Sequence, residues 1–281
     1  MCYADSAYAA GDRGASARGA GSKLTLMRQT VTFTELGPAE FRSAISGFIA
    51  VYTAAMNPPE RMLAGREAIL ERHAAHPGFR ALAAVFTRGD DPPGSPREWG
   101  SSAPPHTPRA PRAPREWGDY PSPHTPLAPS APLALAGFTY GFHGVPGQWW
   151  HDTVAGALTL YSRASASRGA GGGWARVAAD GPGWLDDSFE VAELHVMPSY
   201  QGKGIGRELL LRLTSGRPER TAVLSTADAE SRARRLYRGV GFTDLLTGFR
   251  FAGGEPAYAV MGARLPLLAG SAAPRSAKPS S

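Results

Sequence analysis

LHVMPSYQGKGIGREL, residues 194–209, is the stretch on which the reading of this chain turns. It follows from a strand-like run, Phe189–Val196, and leads into a Leu-rich helix, Ile205–Leu213. A strand, a glycine-rich turn and a helix start in that order make a site for a phosphate-bearing ligand. Gly202, Gly204 and Gly206 are expected to allow positive φ and close approach, because no Cβ stands in the way. The first N–H groups of a helix have no intrahelical partner, and the helix dipole adds positive character there. A pyrophosphate fits such a nest, and Lys203 adds a full charge. The spacing excludes two commoner nucleotide signatures. A dinucleotide fingerprint needs Gly three residues after Gly204, where Arg207 stands. A P-loop needs Ser or Thr after its lysine, and Lys203 is followed by Gly204.

A second segment lies downstream: ARRLYRGVGF, residues 233–242. Together, in this order and at this spacing, the two segments resemble the GCN5-related N-acetyltransferases (GNAT family). The first resembles the family's acetyl-CoA motif, hydrophobic-x-Val-x-Pro followed by Gln/Arg-x-x-Gly-x-Gly/Ala. The second resembles the Ala-x-x-hydrophobic-Tyr-x-x-x-Gly-Phe run of the next helix. The motifs cover residues 189–242, and a looser match of element order extends over residues 24–87 and 132–265.

The resemblance implies an acetyl-CoA site and a role for each part. Pantetheine would pair with the free edge of Leu194–Met197, an added strand on splayed strands. Leu194, His195 and Val196 would line it, and the Val196 N–H would polarise the thioester carbonyl. The pyrophosphate would rest on Gln201, Gly202, Lys203, Gly204, Ile205 and Gly206. Tyr237 stands where the family often keeps the general acid that protonates the leaving thiolate. Its helical spacing with Ala233, Leu236 and Val240 also suits a core tyrosine. An amine is mostly ammonium at neutral pH, so a base is needed. Glu190 and Glu193 are the candidates. A regular strand would point them to opposite faces, with Glu190 beside Ala192, Leu194 and Val196. A bulge would reorder those faces. His195 is a third candidate. One departure is Glu230, seven residues before the tyrosine, where the family often has Asn.

The rest of the chain frames this site. The 281 residues contain 34 Gly and 25 Pro, many of them clustered, so one domain plus much unstructured sequence is expected. Residues 1–23 and 266–281 read as disordered tails, with Met27 a candidate translation start. Residues 89–131 read as a Pro-rich, low-complexity insertion, since PREWG recurs at 96–100 and 114–118 and PHTP at 105–108 and 123–126. The single cysteine, Cys2, leaves no disulfide framework and no cysteine-based zinc site, which suits a cytoplasmic protein. No apolar run reaches the roughly 20 residues of a membrane span. The net charge is +6, from 30 Lys and Arg against 24 Asp and Glu, but basic residues are not interleaved with aromatics on one face. That argues against nucleic acid as a partner.

Elements are expected as follows: a strand over 24–35, a helix from Pro38 to Pro58, a helix over Glu60–Ala75, and strands over Phe79–Thr87 and Ala134–His143. Trp149-Trp150 reads as a pocket wall, a helix cap or core, and 164–173 as a flexible loop. Arg220–Thr226 reads as a strand, Asp228 as the cap of the tyrosine helix, and 243–265 as two strands. The expectation is one α/β domain, residues 24–265, built on a mixed, mostly antiparallel twisted sheet flanked by helices. The function expected is transfer of acetyl from acetyl-CoA, without metal, to a primary amine of a small molecule or peptide, by a monomer or homodimer. The alternative is a non-catalytic module that binds acyl-CoA and regulates a partner. Trp149, Trp150 and Trp184 could form an apolar acceptor wall, and Asp152, Asp186 and Asp187 could draw a cation.

Overall fold

In a computed structural model, residues 30–87, 134–167, 181–252 and 256–268 are described. The expected N-terminal tail, residues 269–281, the insertion 89–131 and most of the loop 164–173 lie outside them; residues 266–268, expected in the disordered C-terminal tail, are instead ordered, with Leu267 packed in the core and the Leu268 N–H donating to the Val240 carbonyl at 3.0 Å. The described residues form a seven-stranded sheet of order β1-β2-β3-β4-β5-β7-β6. The strands are β1 Thr30–Leu36, β2 Arg80–Thr87, β3 Ala134–Gly144, β4 Ser188–Val196, β5 Thr221–Ala227, β6 Thr243–Phe249 and β7 Tyr258–Arg264. Only the β4–β5 pair is parallel. This is the mixed, mostly antiparallel sheet that the sequence implies.

The helices are α1 Pro38–Ser43, α2 Ile45–Met56, α3 Arg66–His73, α4 Trp149–Ser167, α5 Ile205–Thr214 and α6 Arg232–Gly239. Several bounds differ from expectation. The helix at Pro38 divides at Ala44 into α1 and α2. The helix expected over Glu60–Ala75 is a 3-10 turn, Glu60–Met62, and then α3, because Gly65 takes φ 74° between them. The cap of α6 is Ser231, whose Oγ accepts from the Arg234 N–H at 3.1 Å. Asp228 instead takes the Arg234 guanidinium at 2.6 Å and the Gly248 N–H at 2.5 Å. The largest departure is α4, 19 residues long, opening on the two tryptophans and running through the first part of the expected loop.

Burial explains the layering. On one face, Leu209, Leu210 and Leu213 of α5 and Tyr237 of α6 pack on Phe189, Val191 and Leu194 of β4 and on β5 and β7. Each such leucine contributes about 2 kcal/mol, far more than helix propensity does. On the other face, α1, α2 and α3 cover β2 to β4 through Phe41, Phe48 and Leu70 against Phe138, Tyr140 and Phe142. Beside them, Trp150, Val154 and Leu158 of α4, with Trp184, cover Val223 of β5, Leu245 of β6 and Val260 of β7.

Two irregularities of β4 position the site. It pairs with β5 only through Ser188↔Thr221, Phe189↔Ala222 and Glu190↔Val223, and then the strands part. Its register against β3 jumps from Gly141↔Val191 to Tyr140↔Glu193, so Ala192 is a bulge. The extra residue reverses the alternation of faces. Phe189, Val191 and Leu194 face α5, while Ala192 faces the layer of α1 to α3. Glu190, Glu193 and His195 therefore share one face. The regular-strand expectation, which grouped Glu190 with Leu194 and Val196, is corrected by this bulge.

Gly141 makes the bulge possible. A Cβ there would stand 2.3 Å from the Glu190 carbonyl oxygen and 2.6 Å from the Phe189 ring. Both are parts of a packed strand and cannot swing away. Gly141→Ala is expected to lower stability by about 1–3 kcal/mol, an overpacking cost. Urea denaturation of the variant against wild type checks this.

Candidate active site

After β4, Pro198–Tyr200 forms a single 3-10 turn, and the chain passes through Gln201 to α5. Gly202 has φ 74° and Gly204 has φ 83°, so these two positions require glycine. Gly206 does not: it lies inside α5, and a Cβ there would meet Leu236 and Val196 at an ordinary 3.6 Å. Positive φ thus belongs to two of the three glycines expected to use it. Gly204 caps α5, and the N–H groups after it are the ones a helix leaves without intrahelical partners. Gln201 Nε2 donates to the Val196 carbonyl at 3.1 Å and ties the turn back to the strand.

Between the parted strands lies a cleft of about 410 Å³. Leu194, His195 and Val196 line it from β4, and Gln201, Gly202, Gly204, Ile205 and Gly206 from the turn. Tyr237 and Leu236 line it from α6. Along β4 the backbone groups alternate in direction. The Met197 N–H donates to Ala136 on β3 at 2.8 Å, and the Glu193 carbonyl accepts from Thr139 at 2.7 Å. Leu194 and Val196 therefore turn their backbone groups the other way, to the open edge. Lys203 sits outside the cleft, its Nζ 5.1 Å from the Tyr200 ring centre, on a neighbouring groove with Phe33 and Phe86.

Tyr237 is fully buried, 5.8 Å from Phe242 between ring centres, and forms part of the cleft floor. Its helix is clamped from both ends of its outer face. Arg234 binds Asp228 and Asp244, and Arg238 binds Glu230 and Asp244. Glu230, at the position that departs from the expected Asn, is held by Arg238 at 2.6 Å.

The polar face of β4 is buried against α2 and α3. Arg66, at the start of α3, donates to Glu193 at 2.5 Å and lies 3.3 Å over the centre of the Tyr52 ring. His195 Nε2 stands 3.4 Å from the second Glu193 oxygen, and its ring meets Tyr52 edge-on at 5.2 Å. Glu190 is buried further along, next to Phe142 and Val223, and its Oε2 has no hydrogen-bond partner among the described residues. Glu190 and Glu193 lie behind the residues that line the cleft, whereas His195 lines it.

The same segment is matched in comparison with known proteins. The sequence profile of the Acetyltransferase (GNAT) domain matches residues 166–244, the segment holding β4, the glycine turn and the tyrosine helix. Over this segment the chain is similar to the GNAT acetyltransferases. It is 39% identical over 136 residues to the GCN5-like protein acetyltransferase Rv2170 of Mycobacterium tuberculosis, a match spanning 47% of this chain and 60% of that relative. Among solved structures it is similar to Arabidopsis thaliana NAA60 in complex with a bisubstrate analogue, at 14% identity and TM-score 0.44, covering 84% of this chain and 99% of that one. It is also similar to a Salmonella typhimurium protein solved with its cofactor acetyl-CoA, at 16% identity and TM-score 0.40, covering 89% and 99%.

Other groups lining the cleft were not evident in the sequence. Arg207, Arg232 and Arg235 ring its mouth, and a run of arginines after a phosphate turn was the available signal. Ala55 and Met56 close it from the end of α2, a contact that no local pattern announces. The tryptophans do not form an acceptor wall. Trp150 and Trp184 are core residues under α4, Trp150 donating to Ser225 Oγ at 3.0 Å, and only Trp149 is exposed. Asp152 and Asp187 are engaged by backbone N–H groups of Gly147 and Arg220. Among the described residues no cluster of His, Cys, Asp and Glu could hold a metal, and no helix is long and apolar enough to cross a membrane.

The two glutamates differ in protonation. Burial raises the Glu190 carboxyl from 4.5 to about 7. Burial pushes Glu193 the same way, but the contact with His195 and the charge of Arg66 outweigh it and hold this carboxyl well below its ordinary value. Burial lowers His195 below 6.5 against the pull of Glu193, so the ring is neutral at pH 7. For Glu190 the folded value lies above the unfolded one, so folding favours its protonated form. No penalty exists below about pH 4.5, and it grows to full size above about pH 7. Glu190→Gln is therefore expected to gain on wild type across that window, by about 3 kcal/mol in all. Denaturation of both proteins at pH 5 and pH 8 checks it. A stability difference that does not change with pH would contradict the assignment.

Proposed function

We propose that this GNAT domain transfers the acetyl group of acetyl-CoA to a primary amine of a small molecule or peptide, by direct attack in a ternary complex. The observation that carries this is the open β4 edge at Leu194 and Val196, adjoining the Gly202–Gly204 turn across one cleft. Pantetheine adds to that edge as a strand would, and its pyrophosphate lies on the amides after Gly204. The Val196 N–H faces the thioester carbonyl and stabilises the oxyanion that forms there. Tyr237, on the cleft floor, supplies the proton for the departing thiolate. The amine gives up its proton toward the polar face of β4, where Glu190, Glu193 and His195 stand together.

The acceptor class rests on analogy with the M. tuberculosis relative, a GCN5-like protein acetyltransferase of which this chain spans 60%. We propose a catalytic domain over residues 24–265, interrupted by 89–131, working in the cytoplasm. The complete burial of Tyr237 favours one other reading. If that tyrosine only packs, the cleft binds acyl-CoA without turning it over, as a regulatory module would. Release of free CoA in the presence of a panel of amines and peptides separates the two.

Acetyl-CoA at one hundred times its Kd is expected to stabilise the protein by about 2.7 kcal/mol, seen as a rise in melting temperature. Gly204→Val, which puts a branched side chain at φ 83° where the phosphates would lie, is expected to abolish that rise. A full shift in the variant would remove the turn from the site.

Tyr237→Phe keeps the ring and its packing. It is expected to lower kcat by about 10²–10⁴-fold with little change in KM, because the hydroxyl acts only as charge develops on sulfur. Wild-type kcat across the pH range would leave the tyrosine a core residue.

A further inference from the structure

The bulge at Ala192 creates a line of buried polar groups that runs from the interior to the cleft: Arg66, Glu193, His195. On this basis we infer that His195 is the group that takes the amine's proton, with Glu193 and Arg66 as the positioning residues behind it. The inference rests on the acetyl-transfer reading above and names the proton path within it.

Four observations carry it. Of the three titratable groups on this face of β4, His195 lines the cleft, while Glu190 and Glu193 do not. Its Nε2 stands 3.4 Å from the Glu193 carboxylate, and that charge favours the proton of the neutral ring on Nε2 and the lone pair on Nδ1. Its plane is fixed by Tyr52 at 5.2 Å and Phe138 at 5.5 Å, which leaves the ring little freedom to turn. The Arg66 bond at 2.5 Å keeps Glu193 ionised, and an ionised partner is what an imidazolium requires. This is the logic of a base oriented by a buried carboxylate, built here on a bulged strand and locked by an arginine.

The step balances as follows. The substrate ammonium loses a proton to His195 Nδ1, which becomes imidazolium against Glu193. The freed nitrogen lone pair attacks the thioester carbon, and the tetrahedral adduct collapses with cleavage of the C–S bond. Tyr237 gives its proton to the departing thiolate and is reprotonated by the second proton lost from nitrogen, so one net proton remains, which the imidazolium returns to solvent. The products are the N-acetyl amine and free thiol. The charged and titratable groups around His195 are Glu193 and Glu190 on β4, Tyr52 on α2, Arg66 and His73 on α3 and Tyr140 on β3. His73, with its pKa lowered to about 3 by burial, stays neutral and hydrogen-bonds Tyr140 at 3.0 Å.

Two measurements test this. The first is ¹⁵N NMR of the imidazoles in the free wild-type protein, which needs no activity. His195 is expected as the Nε2–H tautomer, and in Glu193→Gln its titration is expected to fall by about one pH unit or more. An Nδ1–H tautomer, or a titration indifferent to Glu193, overturns the inference and leaves acetyl transfer intact. The second is the pH dependence of kcat/KM with an amine substrate. His195→Gln is expected to lose about 10²-fold or more at pH 7, and the loss to shrink at high pH, where the amine is already neutral. Glu193→Gln is expected to move the acidic limb to lower pH, which a merely structural carboxylate would not do. An acidic limb kept by His195→Gln, or removed by Glu190→Gln alone, assigns the proton to another path and overturns the inference. If wild type neither binds nor consumes acetyl-CoA, it is the underlying reading that fails.

Discussion

β4 and β5 lie side by side for three residue pairs and then separate, and the functional architecture depends on that separation. Each strand is held elsewhere along its length, β4 by β3 and β5 by β7, so neither can follow the other. The bulge at Ala192 falls just past the last shared pair, where added twist bends β4 away. A strand that loses its neighbour leaves backbone donors and acceptors without partners, which is costly unless something satisfies them. In this fold the exposed edge and the helix N-terminus after Gly204 both look into the same cleft. A ligand with an amide-bearing arm and a pyrophosphate meets both needs at once.

The same bulge has a second consequence. It places three ionisable side chains, Glu190, Glu193 and His195, on one buried face of a strand. Charges are costly there unless paired. Arg66 pairs with Glu193, and Tyr52 sits under the guanidinium, so one carboxylate stays ionised inside the protein. Among the described residues Glu190 has no such cation, and its proton affinity rises instead. Two glutamates three residues apart thus acquire opposite electrostatic characters from their neighbours. A pair of environments of this kind holds one carboxyl ionised beside another that keeps its proton near neutral pH.

Much of the fold was legible in the sequence, because alternating strands, Pro and Gly boundaries and the leucine spacing of α5 are local patterns. The side of the cleft made by β4 and the glycine turn was legible for the same reason: residues 194–206 are one continuous segment, and such a turn is made by its own backbone. The helix α4 was not. Its opening, GQWWHD, carries turn residues and bulky aromatics, and its end is rich in Ala and Ser, so neither end announces a helix. Packing decides it, through Trp150, Val154 and Leu158 against β5, β6 and β7.

The sequence by itself determined the glycine turn, the strand before it, the tyrosine helix after it and hence the resemblance to the GNAT acetyltransferases, since each depends on neighbours in the chain. Tertiary structure alone decided which face each glutamate takes. That depends on Gly141, which lies on another strand and admits the bulge because a side chain there would strike the Glu190 carbonyl. It also decided that Arg66 pairs with Glu193 from 127 residues away, and that Ala55 and Met56 close the cleft. Local pattern fixes conformation within a segment, but the charge state and direction of a buried side chain are set by whatever packs against it.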